Sequence, residues 1–217
     1  MPGEYTVIGA GQFGKAVAIS LATQGQSVMV IDQDEELIQE IGPEVDAAVA
    51  ADSTDERTLN ELGLRSMSAV IVAIGTGSLE ASIMTTALLR QIGVPRIIAR
   101  AVSILHARVL LSVGAHEVIN PEQEMGNRLA VRLVQPTIKD QLEMGSSNLA
   151  EIVLPERFVG QNLRELDMRN RYELSVMAIR RGDQVLANPG ASETLKAGDV
   201  LVVIGTPDAI RRIANMV

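Results

Sequence analysis

The stretch YTVIGAGQFGKAVAISLATQG (5–25) sets Gly9, Gly11 and Gly14 in a GxGxxG pattern directly after an apolar run and at the opening of a helical pattern. The chemistry this spacing serves is anion binding. The first glycine permits a tight turn, the second lets phosphates approach the backbone, and the third lets helix and strand pack closely. Unpaired N–H groups and the positive dipole end of the helix then favour a negative group. A second apolar run, VMVI (28–31), ends in Asp32, followed by Gln33 and Asp34. An acid about 20 residues beyond the glycines is placed to accept both hydroxyls of an adenosine ribose, and a second acid with no adjacent Arg repels a 2′-phosphate, which disfavours NADP.

AADSTD (50–55) and IGTGS (74–78) each follow a further apolar run. In an open α/β sheet both would reach the ligand edge, so Asp52 and Ser53 could meet an adenine while Ile74, Gly75 and Thr76 line the opposite wall. Asp52 and Ser53 serve equally as helix caps. Arg100 stands inside the apolar RIIARA (96–101). A guanidinium there costs desolvation unless it is paired, either with a phosphate or with a buried Glu or Asp. His106, in SILHARVL, could serve as an acid or base, or sit on a helix surface or against a phosphate.

These residues need a scaffold, and short β-branched runs supply it at 5–8, 28–31, 47–51, 69–74, 96–101 and 116–119, with helical patterns between them. Such alternation predicts βαβ units and a parallel sheet covered on both faces. Ser53 with Glu56 has the spacing of a capping box, and Gly25, Gly63 and Gly93 stand where helices should stop. After Pro121, Met125, Leu129 and Leu133 recur every four residues on a helix that Pro136 should end, and Ile138 and Leu142 predict a second helical segment. MGSSN (144–148) reads as a linker. Beyond it lie strand-like LAEIVL, LSVMAI, QVLA and DVLVVIG, a short helix around NLREL and a closing helix from Pro207. The expected fold is α/β: a Rossmann-like six-stranded parallel sheet (1–121), crossover helices with a linker (122–146), and a second, smaller α+β domain (147–217).

Composition narrows the function. The chain has 217 residues, 47% of them hydrophobic, enough to fill a core, and a formal net charge of −8 with its 19 basic residues spread thinly. A phosphate backbone would meet repulsion, and aromatics at 2% leave no platform for stacking bases, so nucleic acid is a poor partner. With no cysteine there is neither a disulfide framework nor a thiolate metal site. The N-terminus lacks the basic and apolar pattern of a signal peptide, and no apolar run approaches the roughly 20 residues of a membrane span. A cytoplasmic protein is expected. A dehydrogenase needs a proton-transfer group beside the nicotinamide, and the small second domain offers no His or Cys and no well-set Lys, so binding outranks catalysis.

GAGQFG, VIDQD, AADSTD, VAIGTGSLEAS, the ARA strand, GAHEVINPEQEMGNRLA, LPERFVGQNLREL and LKAGDVLVVIGTPDAI together resemble the regulator-of-potassium-conductance proteins, the cytosolic gating subunits of Trk and Ktr potassium transporters. The resemblance covers nearly the whole chain. It implies a nucleotide-binding N-domain that takes NAD(H), ADP or ATP, a crossover helix pairing two subunits, and a C-domain that also dimerises. It further implies dimers assembled into a homo-octameric ring beneath a membrane-embedded pore subunit. Under it, Gly9, Ala10, Gly11, Gln12, Phe13 and Gly14 match phosphate contacts, Asp32 with Gln33 the ribose side, and Asp52 and Ser53 the adenine side. Arg100 matches a basic phosphate contact with His106 nearby. Glu122 matches an acid that helps hold a divalent or monovalent cation at the dimer interface; its residue type alone reads as a first-turn helix acid. Asn162, Arg169 and Arg171 fall where some relatives bind cyclic di-AMP, and ordinary surface charge explains them equally. Gln12 departs from the Arg of ATP-responsive Ktr-type members and cannot grip a γ-phosphate by charge. The rival readings are a small NAD-dependent oxidoreductase and a nucleotide sensor for another membrane protein.

Overall fold

Burial on both faces is what turns the six apolar runs into a parallel sheet. In the computed structural model, which describes residues 3–216, these runs form β1 (Glu4–Ile8), β2 (Ser27–Asp32), β3 (Ala47–Ala50), β4 (Ala69–Val72), β5 (Ile97–Arg100) and β6 (Glu117–Ile119). They pair in parallel in the order β3-β2-β1-β4-β5-β6. Successive residues of a strand point to opposite faces. Val7, Val30 and Ile71 pack on one side with Ala18 of α1 (Gln12–Thr23) and Ile38 of α2 (Glu35–Ile41). Ile8, Ile31 and Val72 pack on the other with Leu59 of α3 (Glu56–Glu61), Leu89 of α4 (Leu79–Ile92) and Leu110 of α5 (Ile104–Val113). Ile8 is level with both Ile31 and Val72, so β1, β2 and β4 end together. The chain leaves β1 towards one edge and returns with β4 on its other side, and the loops after β1 and β4 therefore diverge around a crevice.

Gly25, Gly63 and Gly93 follow or close α1, α3 and α4 with positive φ, as expected. The capping box expected from Ser53 and Glu56 does not form. Asp55 caps α3, its carboxylate accepting the Arg57 N–H at 2.9 Å, while Ser53 is buried.

The chain divides into two compact units, one ending at Glu122 and the other starting at Gln123. Across this boundary runs α6 (Pro121–Val134), which stops before Pro136 as expected. Met125, Leu129 and Leu133 are 60%, 51% and 74% exposed on it, so they are not core of this chain. The second helical segment expected around Ile138 and Leu142 is instead a strand, β7 (Ile138–Met144). A separation of four residues is even, so it repeats on one face of a strand as well as of a helix. The MGSSN linker is the turn of a hairpin joining β7 to β8 (Ser147–Val153). With β9 (Leu174–Arg181), β10 (Gln184–Ala187) and β11 (Val200–Gly205) they form an antiparallel sheet in the order β10-β9-β11-β8-β7. Ile152, Leu201 and Val203 of that sheet bury against Phe158, against Leu166 of α7 (Leu163–Leu166), and against Ile210 and Ile213 of α9 (Pro207–Ala214). The short α8 (Met168–Tyr172) precedes β9. Arg181 donates from Nε and Nη2 to the two oxygens of the buried Asp199, at 2.8 and 2.9 Å, and these bonds hold that carboxyl below the usual carboxylate range.

Candidate functional site

The crevice at the carboxyl ends of β1, β2 and β4 encloses about 610 Å³, a size that holds a small organic ligand. Its floor is the loop after β1. Gly9 has φ 105°, and a Cβ there would lie 3.0 Å from the backbone of Ala73 and Ile74. A Cβ on Gly14 would stand 1.8 Å from the Gly9 carbonyl oxygen, so only glycine lets α1 fold back onto the turn. Gly11 differs: its φ is −66°, and a Cβ there would meet nothing within 4 Å. It lines the crevice, so the backbone here is bare towards whatever enters.

The N-terminus of α1 carries neither a capping side chain nor an acid in its first turn, whereas Asp34, Ser78 and Ser103 cap α2, α4 and α5. The free N–H groups and dipole of α1 therefore act on the crevice unscreened. Asp32 sits opposite. Its Oδ2 accepts the Ala10 N–H at 2.6 Å and its Oδ1 accepts the Asp34 N–H at 3.0 Å. Each oxygen keeps a further lone pair, so one carboxylate both fixes the glycine loop and can take ribose hydroxyls.

The structure divides the remaining expected residues. Gln33, Ser53, Ile74 and Gly75 line the crevice with Gly9, Gly11 and Asp32. Asp52 is spent on its own turn: its Oδ1 accepts the Thr54 hydroxyl at 2.7 Å and the Thr54 N–H at 2.8 Å, and these bonds push its carboxyl below the ordinary range. Thr54, not Asp52, faces the crevice. The buried Ser53 shares a hydrogen bond with Thr85, Oγ to Oγ1, at 2.8 Å. Thr76 is exposed beyond the wall. Ala10, Gln12, Phe13 and Gly14 build the loop and the first turn of α1 and are not among the lining residues, Gln12 being exposed to solvent. The sequence reading missed Leu37, Ala51, Glu80, Ala81 and Met84, which also line it. Glu80, Ala81 and Met84 share a face of α4, and their one available signal was the i, i+1, i+4 spacing just after Ser78.

Arg100, at the end of β5, borders the crevice and is paired with an acid that is exposed, not buried. Its side chain lines the crevice at 14% exposure while Nη2 donates to Glu122. Its guanidinium carbon lies 5.8 Å from the centre of the Phe13 ring. Nε is buried and has no hydrogen-bond partner among the described residues. His106 is buried in the first turn of α5 and outside the crevice lining, its Nδ1 taking the Val102 N–H at 3.4 Å. Burial pushes its pKa below the ordinary histidine value. Glu122, the expected cation ligand, is bonded to Arg100, and the described residues hold no cluster of three or more His, Asp or Glu side chains fit for a metal. In the second unit, Asn162 forms a capping box with Glu165, and Arg171 lies over Tyr172 at 5.6 Å. Arg169 borders a separate cleft of about 620 Å³ with Arg164.

The TrkA-N domain model matches residues 5–121 and the TrkA-C domain model residues 149–217. The chain belongs to the TrkA-N/TrkA-C family. The stretch between the two matched regions holds α6 and β7. The Ktr system potassium uptake protein C of Bacillus subtilis (strain 168) is 39% identical to this TrkA-N/TrkA-C chain over 218 residues, covering 100% of it and 98% of the relative. The Ktr system potassium uptake protein A of Vibrio alginolyticus is 32% identical over 208 residues, covering 95% and 94%. A solved structure described as the GsuK channel bound to NAD matches with a TM-score of 0.71 at 18% identity, over 99% of this chain and 40% of that one. At that identity the likeness shows the fold of the TrkA-N/TrkA-C pair.

Proposed function

We propose that this TrkA-N/TrkA-C protein is the cytosolic, non-enzymatic, nucleotide-sensing subunit of a Trk/Ktr-type potassium uptake system, with NAD(H), ADP or ATP as its ligand. One observation carries the reading. In a chain akin to Ktr protein C over its whole length, the crevice sets an uncapped helix N-terminus beside a carboxylate with spare lone pairs. That pairing suits a phosphate chain and a ribose on one ligand. Among the described lining residues none is a His, Lys or Cys, which favours binding over proton transfer.

The exposed apolar stripe of α6 supports its role as a seam between two copies. Such dimers would form the octameric ring beneath the membrane-embedded pore subunit, which holds the protein at the inner face of the membrane. A nucleotide gates that pore only by binding one ring state better than the other. The cleft beside Arg164 and Arg169 is where a cyclic dinucleotide would meet guanidinium groups.

Calorimetric titration with ATP, ADP, NADH and cyclic di-AMP tests the site, with Asp32→Ala as control. Adenine nucleotides should bind, and the variant should lose about tenfold or more in affinity, since hydrogen bonds to a charged group are worth about 1.5–3 kcal/mol. Absence of binding, or an unaltered Asp32→Ala, refutes the assignment. A neighbouring gene for a multi-span potassium pore separates this reading from a sensor for another membrane protein.

A further inference from the structure

We propose that Glu122 is an internal competitor for Arg100 and thereby sets how much phosphate charge a ligand must carry to occupy the crevice. The inference rests on the nucleotide reading above. Arg100 is the one basic residue among the described residues lining the crevice, and Asp32 and Glu80 line it too. With Gln at position 12, no charge on the glycine loop supplements it. A phosphate held at the N-terminus of α1 therefore has one cation to turn to. That cation is already shared. Its Nη2 donates to Glu122, while Nη1 lies against Gly75 on the crevice wall, 3.2 Å from where a Cβ on that glycine would stand. The side chain lies over Phe13, the second residue of α1, and its Nε has no hydrogen-bond partner among the described residues.

The two acids compete on unequal terms. Glu122 is 59% exposed, so water compensates it readily when it is released. A ligand phosphate gains the α1 N–H groups together with the guanidinium, two charge-assisted contacts on one anion. A bare nucleoside brings nothing to displace Glu122. Competition is reciprocal by linkage: a bound phosphate releases Glu122, and Glu122 lies in the first turn of α6, the helix that leads out of the first unit.

The test is calorimetric titration of adenosine and of ADP, in the presence of EDTA, into wild type, Glu122→Gln, Arg100→Gln and the double variant, with thermal melts as the folding control. Glu122→Gln should tighten ADP about two- to fivefold, the factor matching an exposed ion pair, and leave adenosine unchanged. Arg100→Gln should weaken ADP about tenfold or more, and in that background Glu122→Gln should have no further effect. If Glu122→Gln leaves ADP affinity unchanged, the competition is overturned. If it weakens ADP, Glu122 touches the ligand or a cation with it, and the proposal is overturned as well. Failure of wild type to bind ADP overturns the nucleotide reading and this inference with it, an outcome distinct from normal binding that is indifferent to Glu122.

Discussion

A Gly11→Ala substitution adds one methyl group where the protein has room for it and a ligand does not. At φ −66° and ψ −178° Gly11 is in a conformation open to any residue, and its added Cβ meets no atom within 4 Å. Two small effects on stability oppose each other. Alanine reduces the entropy of the unfolded chain, a gain of about 0.4–1 kcal/mol, and is a poorer N-cap than glycine by about 0.5–1 kcal/mol. The net change should stay within about 1 kcal/mol, a melting shift of less than about 4 °C. The ligand fares differently. A phosphate oxygen accepting a first-turn N–H lies about 2.9 Å from the nitrogen, and a methyl carbon beside it demands about 3.5 Å or more. The phosphate must shift and forfeits at least one charge-assisted bond, about 1.5–3 kcal/mol, or about 10- to 150-fold in affinity. Calorimetry with ADP or NADH, beside a thermal melt, reads both quantities on one preparation. Wild-type affinity in a normally folded Gly11→Ala protein would refute the phosphate placement.

Gly14→Ala should behave oppositely, because its Cβ would sit 1.8 Å from the Gly9 carbonyl oxygen; the turn must open, at about 1–3 kcal/mol, and both the melting temperature and nucleotide affinity should fall. Leu129→Glu replaces a 51% exposed side chain, so the urea unfolding midpoint of the separated chain should barely move, while light scattering on a sizing column should show a smaller assembly; an unchanged mass would remove α6 as the seam. Because burial lowers the pKa of His106, the unfolded chain takes up its proton first as the medium is acidified. The stability owed to neutral His106 is therefore complete above about pH 6.5 and is lost as pH falls below it towards the folded value. His106→Gln should show a shallower drop in urea midpoint than wild type between about pH 7 and pH 5, and parallel curves would count against that account.

The glycine spacing, the acid ending β2 and the alternation of β-branched runs with helices were enough to read the sheet, its crevice and the place of Asp32 on the crevice edge from residue order alone. Each depends on local rules: a turn that only glycine permits, a strand buried on both faces, a helix started by its neighbours. Spacing failed where two periods agree. Ile138 and Leu142 stand four apart, which suits a helix and a strand alike, and the hairpin with β8 decided for β7. It failed again for Asp52 and Ser53, since both capping and lining suit polar residues after a strand. The structure gave the cap to Asp55 and the lining to Ser53 and Thr54. The face of α4 that carries Ala81 and Met84 and the pairing of Arg100 with Glu122 join parts of the chain that no local pattern connects. The sequence by itself determined which residues could bind a phosphate and a ribose. Only the tertiary structure decided which of them share one crevice and which acid already holds its cation, because those distances depend on how β1, β4 and β5 lie side by side and not on the order of residues within any one of them.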